Sequence, residues 1–298
     1  MQKYIGDGAQ WGIKITFFEQ EGGPQGIAHV VKQAEKVIGN DPFLFYLSDN
    51  VVLGSLDAFI EEFSNGNYDC MLALSKVPDP ERFCVPVLDA SGKLIDVIEK
   101  PKNPPNNFAV TGIYLYGPKV FFEAFGHIQK SDRGEYEISS IHSDFLKNNL
   151  KVGYKEITGW WIDTGKPQDL ISASRLLLEE IKPEDFKIEG TVESGAQLIG
   201  KVRIGVGTTV NKNVKITGPV IIGENCTLED CVLNPNTTIG AGSTIKNAEI
   251  KDSIILNKCN ISGGVNLSGS IIGAGVTVIK KQSDHQTMIL GENTWVEV

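Results

Sequence analysis

The sequence lacks several patterns, and each absence excludes a class of protein. No apolar run approaches the roughly 18–20 residues that a membrane-spanning helix needs. The five cysteines include no CxxC pair and no histidines cluster near them, which predicts free buried thiols in a reducing compartment rather than a zinc site. The N-terminus has no apolar signal core, so we expect a cytoplasmic protein.

Positive charge is also in short supply. The 28 Lys and Arg residues are outnumbered by 37 Asp and Glu residues, which gives a formal net charge of −9. This balance argues against a surface that binds nucleic acid, but it does not exclude a small phosphorylated substrate. With 298 residues, 41% of them hydrophobic, the chain can bury the cores of two soluble domains, and we expect no membrane partner.

Aromatic residues are missing from most of the C-terminal third. Of the 24 Phe, Trp and Tyr residues, all but Trp295 lie at or before Phe186. The stretch from Lys187 to Thr294 also contains only two prolines, Pro219 and Pro235. The core of this region must therefore be built from small branched aliphatic residues.

The same stretch places an aliphatic residue at every sixth position. Glycines such as Gly205 and Gly223 follow repeat positions and allow the chain to turn a corner. Three hexads per coil predict a left-handed parallel β-helix of about five coils over residues 188–281, with a C-terminal cap at 282–298. The repeat positions are Val192, Leu198, Ile204, Val210, Ile216, Ile222 and Leu228, then, after a slip, Leu233, Ile239, Ile245, Ile255, Ile261, Leu267, Ile272 and Val278.

Residues 1–165 alternate between strand-like and helical patterns, which indicates an α/β sheet domain. A charged amphipathic helix that begins near Pro167 and ends at Pro183 joins the two regions, as a linker over residues 166–187. The apolar run Phe43–Leu47 predicts a strand buried on both faces. The other predicted strands are Ile13–Phe18, Cys70–Leu74 and Ile113–Tyr116, and the predicted helices are Gln25–Ile38, Leu56–Phe63 and Lys119–Phe125.

Two carboxylates follow predicted strands, where ligands bind in open α/β sheets. Asp49 comes directly after the strand Phe43–Leu47, and Asp163 follows Trp160–Ile162. A single Asp at such a place is more often a helix cap or turn residue. If the two converge, they suit a Mg²⁺ ion held by carboxylates and substrate phosphates.

Two further segments each allow two interpretations. The loop Gly22–Gly26 enters a helix, where its backbone N–H groups could face a ligand, although most such loops are only turns. Glu99 and Lys100 end an apolar run at Pro101. They form either a solvated charged turn or a site in which Lys100 binds a phosphate and Glu99 accepts hydrogen bonds from the hydroxyl groups of a sugar.

Taken in order along the chain, these segments form a recognisable set. The set resembles the sugar-1-phosphate nucleotidylyltransferases, in particular the long members that join a Rossmann-like nucleotidyltransferase domain to a β-helix. The resemblance covers essentially the whole chain. Its motifs are Gly6-Asp7-Gly8, Glu19-Gln20, Gly23–Ala28, Ser48-Asp49-Asn50, Asp79–Phe83, Glu99–Lys102, Val110-Thr111-Gly112, Gly134–Ile138, Trp161–Gly165 and Ile289–Thr294.

The resemblance implies a reaction and a set of site residues. A phosphate oxygen of glucose 1-phosphate attacks the α-phosphorus of dTTP, which gives dTDP-glucose and pyrophosphate. By resemblance, Asp49 and Asp163 hold Mg²⁺, and Lys100 meets the sugar phosphate as the third catalytic residue. The remaining implied contacts are Gln20 and Gly26 to thymine, Glu99, Thr111, Gly112 and Glu137 to the hexose, and Trp161 beside the metal site.

The chain departs from the family pattern at two places. Cys84 stands where the family usually has glycine, close to the sugar. No Gly-Thr-Arg loop and following lysine open the chain, although these hold the triphosphate in the family. We therefore expect roughly 60 residues of a βαβ unit to be absent before Met1, as in a truncated gene product, and the 298-residue chain to be inactive or nearly so.

Other functions remain open at this stage. The chain could be a non-catalytic regulatory or assembly subunit that keeps the sugar pocket, and the DNA upstream of Met1 would separate the two hypotheses. A hexapeptide acyltransferase is disfavoured because no histidine lies between His142 and His285 to act as base. The flat faces of a β-helix suit a homo-oligomer. The sequence does not decide between dTTP and UTP.

Overall fold

The computed structural model describes residues 2–280 and 288–289. The chain divides into two compact units, Met1–Asp163 and Thr164–Val298. Among the described residues, no helix is long and apolar enough to cross a membrane.

The strands of the first unit are β1 (Phe43–Tyr46), β2 (Asn50–Val52), β3 (Cys70–Lys76), β4 (Cys84–Leu88), β5 (Leu94–Glu99), β6 (Phe108–Tyr116), β7 (Val152–Glu156) and β8 (Trp161–Asp163). Six of them form one sheet with the order β5-β4-β6-β3-β7, in which β1 also pairs with β6. The other two, β2 and β8, form a separate two-stranded ribbon. The helices are α1 (Gln2–Ile5), α2 (Ile27–Gln33), α3 (Glu35–Ile38), α4 (Asp57–Gly66), α5 (Val120–Phe125) and α6 (Ile138–Lys147), with 3-10 turns at Ala9–Trp11 and Pro80–Arg82.

Strand β3 shows why the sheet carries helices on both faces. Its residues from Cys70 to Ser75 are all buried. Alternate side chains of a strand point to opposite faces, so Leu72 joins the core that contains Phe121 and Phe145, whereas Met71 joins the core that contains Phe59. The two cores confirm the predicted α/β class, with the sheet as the middle layer.

Two predictions for this unit are wrong. The segment Ile13–Phe18 forms no strand, and Ile13 and Phe18 are exposed, because no described strand lies beside it to pair with it. Strand β1 is not buried on both faces, since Leu44 and Tyr46 are exposed. Within the described part of the chain β1 pairs only with β6, so one of its edges has no neighbour.

The second unit begins with α7 (Pro167–Glu180) and a 3-10 turn at Pro183–Asp185. The helix is tied to the coils that follow it by an ion pair of 3.0 Å between Arg175 Nη2 and Asp252 Oδ1. Lys201 Nζ also donates to the carbonyl oxygen of Glu179 at 3.3 Å. Helix α7 therefore packs along the coils of its own unit.

The rest of the described unit is a parallel β-solenoid of about five turns, consistent with the predicted left-handed β-helix. Each strand pairs with the strand one coil later, 18 residues on for Thr191↔Thr209 and 16 residues on for Thr244↔Asn260. The strands are β9 (Thr191–Val192), β10 (Gln197–Ile199), β11 (Val202–Ile204), β12 (Thr209–Val210), β13 (Lys215–Thr217), β14 (Val220–Ile222), β15 (Thr227–Glu229), β16 (Val232–Leu233), β17 (Thr237–Ile239), β18 (Thr244–Lys251), β19 (Ile254–Ile255), β20 (Asn260–Ser268), β21 (Ile271–Ile272), β22 (Thr277–Ile279) and β23 (Met288–Ile289), the last antiparallel to β22.

The aliphatic residues at the hexad positions fill the inside of the solenoid. Those from Ile204 to Ile261 are buried, and they stack in columns with the buried thiols of Cys226 and Cys259. Buried hydroxyl groups join successive coils at the corners: Thr208 Oγ1 accepts from the Cys226 N–H at 2.9 Å, and Ser243 Oγ accepts from the Cys259 N–H at 3.1 Å. The hexad prediction is confirmed. The predicted cap at 282–298 lies outside the described residues except for Met288–Ile289.

Candidate active site

Asp49 lies at the tip of a tight turn that follows β1. The Leu47 N–H donates to the Gly112 carbonyl at 2.8 Å, and the Asn50 N–H donates back to the Leu47 carbonyl at 3.0 Å. The tyrosine hydroxyl of Tyr46 donates to the Asn50 carbonyl at 3.0 Å. These bonds hold the turn against β6, where Gly112 lies.

The ribbon of β2 and β8 brings Asp163 to the same place. In the antiparallel register Asn50 lies opposite Asp163, so Asp163 lies across the ribbon from the residue that directly follows Asp49. No group of three or more His, Cys, Asp and Glu residues suited to a metal ion occurs in the described residues. Two carboxylates completed by substrate phosphates are a common way to bind Mg²⁺, so the donor set fits that ion.

The buried side chain of Asn50 lies at the centre of this cluster, although the sequence did not identify it as a site residue. Its Oδ1 accepts from the Gly112 N–H at 3.0 Å and from the Trp161 Nε1–H at 2.6 Å. Its Nδ2 donates to Asp49 Oδ1 at 2.8 Å. The sequence signals for Asn50 were its place directly after Asp49 at the end of a strand and its membership of the motif Ser48-Asp49-Asn50.

Gly112 and Thr111 take different places on β6. A side chain at Gly112 would put its Cβ 2.7 Å from Asn50 Nδ2 and 2.8 Å from Leu47 Cβ, so the close approach of the turn requires glycine there. Thr111 is fully buried, and its hydroxyl donates to the Ala73 carbonyl at 2.9 Å. The Thr111 side chain therefore supports the sheet, and any contact from Thr111 to a hexose would come from its backbone.

The hairpin of β4 and β5 places Lys100 and Glu99 beside the cluster. Lys100 has a left-handed φ of 43° and donates its backbone N–H to the Phe83 carbonyl at 3.0 Å. The ring of Phe83 meets Trp161 edge-on, with centroids 5.3 Å apart. Cys84 pairs with Glu99 across the hairpin and is half-buried, and burial raises the pKa of its thiol, which therefore stays protonated.

Glu137 adds a second carboxylate near Glu99. Burial and then the Glu137 carboxylate raise the pKa of Glu99, and the Lys100 ammonium opposes that rise. Glu137 lies at the N-terminus of α6 and accepts a bond of 2.8 Å from the Ser131 hydroxyl. Two neighbouring carboxylates with hydrogen-bond capacity suit the hydroxyl groups of a sugar.

Gly26 and Gln20 lie on the side of Glu137. The Tyr136 N–H donates to the Gln25 carbonyl at 2.8 Å. A Cβ on Gly26 would lie 2.5 Å from the backbone carbonyl oxygen of Tyr136, so glycine is required there. Gln20 Nε2 lies 3.4 Å from His29 Nδ1 on α2. The structure thus joins the predicted residues into two neighbouring sets, Asp49, Asp163, Gly112, Trp161, Lys100 and Glu99 on one side and Glu137, Gly26 and Gln20 on the other.

Two family models match the chain. The nucleotidyl transferase family matches residues 1–180, and a family described as the GMPPB C-terminal domain matches residues 216–298. The first match covers more than half of the chain and includes every predicted site residue.

Named relatives extend over nearly the whole chain. A glucose-1-phosphate thymidylyltransferase of Streptomyces antibioticus is 36% identical over 99% of this chain and 82% of its own length. An enzyme of the same name from Streptomyces griseus is 32% identical over 99% of this chain and 82% of its own length. A solved Bacillus anthracis structure, assigned as a glucose-1-phosphate thymidylyltransferase and holding sucrose, matches with a TM-score of 0.55 and 36% identity, over 61% of this chain and 72% of that one. The chain belongs to the nucleotidyl transferase family and closely resembles its sugar-1-phosphate members.

Proposed function

We propose that the site transfers a thymidylyl group from dTTP to glucose 1-phosphate and releases pyrophosphate. The observation that carries the proposal is the register of β2 and β8, in which Asn50, the neighbour of Asp49 and a partner of Gly112, lies opposite Asp163. The names of the full-length relatives support the choice of dTTP and glucose 1-phosphate. In the reaction a phosphate oxygen of the sugar phosphate forms a bond to the α-phosphorus as the bond to the leaving pyrophosphate breaks.

The residues divide the work by their chemistry. Asp49 and Asp163 would hold a Mg²⁺ ion, which when bound neutralises phosphate charge. Lys100 supplies a fixed positive charge for the phosphate of glucose 1-phosphate. Glu99 and Glu137 accept hydrogen bonds from the hydroxyl groups of the hexose, and Gly112 lets the turn that carries Asp49 approach β6 closely. Gly26 and Gln20 contact the thymine base, and Trp161 packs against the metal side of the pocket.

The metal part of the proposal is tested by binding alone. We expect the 298-residue chain to bind Mn²⁺, a spectroscopic substitute for Mg²⁺, with an affinity that falls at least tenfold in Asp49→Ala and in Asp163→Ala. Asp230→Ala is the control, because Asp230 is an exposed carboxylate in the solenoid. Equal Mn²⁺ affinity in all four proteins would contradict the shared-ion role.

The sugar phosphate part is tested through Lys100. We expect Lys100→Ala to weaken the use of glucose 1-phosphate by roughly ten- to a hundredfold and that of dTTP much less, because a charge-assisted hydrogen bond contributes about 1.5–3 kcal/mol. Binding of glucose 1-phosphate, of dTTP and of UTP to the 298-residue chain is measured by calorimetry. Lys102→Ala removes a neighbouring exposed lysine as the control. Equal losses for both substrates, or a preference for UTP, would contradict the assignment.

A further inference from the structure

The amide of Asn50 is hydrogen-bonded to three of the predicted site residues. Its side chain bonds to Asp49, to Gly112 and to Trp161, and the residue is only 6% exposed. We propose that Asn50 is the positioning residue that fixes the Asp49 carboxylate for metal binding and couples it to the sugar pocket. This inference rests on the proposed function.

The orientation of the amide follows from its partners. The Gly112 N–H and the Trp161 indole N–H can only donate, so the group that faces both must be the oxygen. The amide nitrogen is then turned toward Asp49, where it donates to Oδ1 at 2.8 Å. The carboxylate thus has one oxygen held by a group that does not change its charge with pH.

The same side chain reaches the sugar phosphate side through two contacts. Trp161, held by Asn50, packs edge-on against Phe83, and the Phe83 carbonyl accepts the backbone N–H of Lys100. Gly112, held directly by Asn50, lies on β6 next to the turn. One buried amide therefore sets the relative places of the metal carboxylate and the residues proposed to bind the sugar phosphate.

The turn itself does not depend on this side chain. The backbone bonds from Leu47 to Gly112 and from Asn50 to Leu47, and the Tyr46 hydroxyl on the Asn50 carbonyl, all remain when the amide is removed. A truncated side chain at position 50 should therefore leave the backbone of the turn in place and loosen only the groups that the amide holds.

The test measures Mn²⁺ binding to the 298-residue chain with no nucleotide or sugar present. We expect Asn50→Ala to weaken Mn²⁺ binding by roughly ten- to a hundredfold, the usual cost of losing a group that orients a metal ligand. Asn106→Ala is the matched control, because Asn106 makes two hydrogen bonds, to the Pro86 carbonyl and from the Phe108 N–H, away from the site. Tyr46→Phe removes a bond to Asn50 without touching its amide. Both controls should stay within threefold of the parent.

A second variant keeps the fold contacts and changes only the group that faces Asp49. Asn50→Asp retains an oxygen for Gly112 and Trp161 but replaces the amide N–H that faces Asp49 with an oxygen that cannot donate. A parallel ¹⁵N spectrum should show the Trp161 indole signal displaced in Asn50→Ala and retained near its place in Asn50→Asp.

The outcomes separate this inference from the proposed function. If Asp49→Ala abolishes Mn²⁺ binding but Asn50→Ala binds like the parent, the positioning role is wrong and the metal site stands. If Asp49→Ala binds Mn²⁺ as the parent does, the proposed metal site itself is wrong. Weakened binding in Asn106→Ala to the same extent as in Asn50→Ala would show a general loss of stability and would also overturn the positioning role.

Discussion

The sheet unit and the solenoid unit bring residues together over very different sequence separations. In the sheet unit β3 pairs with β7, so Cys70 lies opposite Val152, and β2 pairs with β8, so Asn50 lies opposite Asp163. In the solenoid each coil bonds to the next, 16 to 18 residues along the chain, as at Thr244↔Asn260 and Thr191↔Thr209. The first unit gathers its parts from the whole domain, whereas the second repeats one local arrangement.

Their cores differ in the same way. Large rings such as Tyr116, Phe121 and Phe145 fill the sheet unit, and each packs against neighbours from other elements. The solenoid core contains stacked Ile, Val, Leu and Cys residues, and no aromatic residue occurs between Lys187 and Lys280. Only the first arrangement brings unlike groups such as a carboxylate, an amide and an indole to one point. The proposed site accordingly lies in the sheet unit.

The largest effect that we expect concerns catalytic turnover, which the sheet unit would carry out. Family members hold the triphosphate with a Gly-Thr-Arg loop that this sequence does not contain, and losing even one such donor lowers a rate about 10²–10³-fold. We expect the purified 298-residue chain, given dTTP, Mg²⁺ and glucose 1-phosphate, to release pyrophosphate more than a thousandfold more slowly than the typical enzyme rate of about 10 s⁻¹. Turnover near that rate would show that the sheet unit assembles its function from fewer parts than the family pattern implies.

A cavity created in the solenoid core by mutation should destabilise the solenoid unit and leave the stability of the sheet unit unchanged. Ile216 is fully buried and stacks between Leu198 and Leu233, so Ile216→Ala should lower the free energy of unfolding of that unit by about 2–5 kcal/mol. Far-ultraviolet circular dichroism would follow the loss, with Lys215→Ala as the exposed control. In a Trp295→Phe background the three remaining tryptophans lie in the sheet unit, and their unfolding transition should not move. A joint shift would contradict the independence of the two units.

The smallest effect expected is a pH dependence confined to the sheet unit. Burial lowers the pKa of His142 from 6.5 to about 3, and its Nε2 lies 2.8 Å from the Tyr116 hydroxyl. The unfolded chain therefore binds more protons than the folded one between pH 6.5 and pH 3, so stability is fully present above pH 6.5 and is lost as the pH falls toward 3. The slope is at most about 1.4 kcal/mol per pH unit for this one group.

Urea unfolding followed by tryptophan fluorescence at several pH values would measure this slope. His142→Gln should flatten it. The solenoid has no histidine between Thr164 and Lys280, so its unfolding should lack this source of pH dependence. Equal slopes in the parent and His142→Gln would contradict the assignment.

Periodic features could be predicted from the sequence because the regular spacing of the apolar residues itself shows which positions face the core. The hexads from Ile204 to Ile261 gave the solenoid and its inward face, and Pro167 gave the start of α7. Strand β1 could not be judged in the same way, because the burial of Leu44 depends on whether a second strand lies beside it. A run of apolar residues does not carry that information.

The sequence named candidate members of the site but not their connections. Asp49 and Asp163 could be named from their places at strand ends, but the register that sets Asp163 opposite Asn50 comes from the pairing of β2 with β8. The inward hydroxyl of Thr111 and the threefold bonding of Asn50 likewise arise from contacts with Ala73, Gly112 and Trp161 that no local pattern encodes. Resemblance to a family supplied names for these positions, and only the three-dimensional arrangement supplied their partners.

The coil register gives the solenoid a property that a globular core lacks, a length that changes in whole steps. Val202 lies opposite Val220, so removing residues 202–219 would join two points that already lie one above the other. The inward phase of every later aliphatic residue would be preserved, and the solenoid would shorten by about 4.8 Å, the spacing of neighbouring strands. Removing a single residue would instead turn the following side chains to the opposite face. The number of coils therefore sets the distance between the two ends of the solenoid.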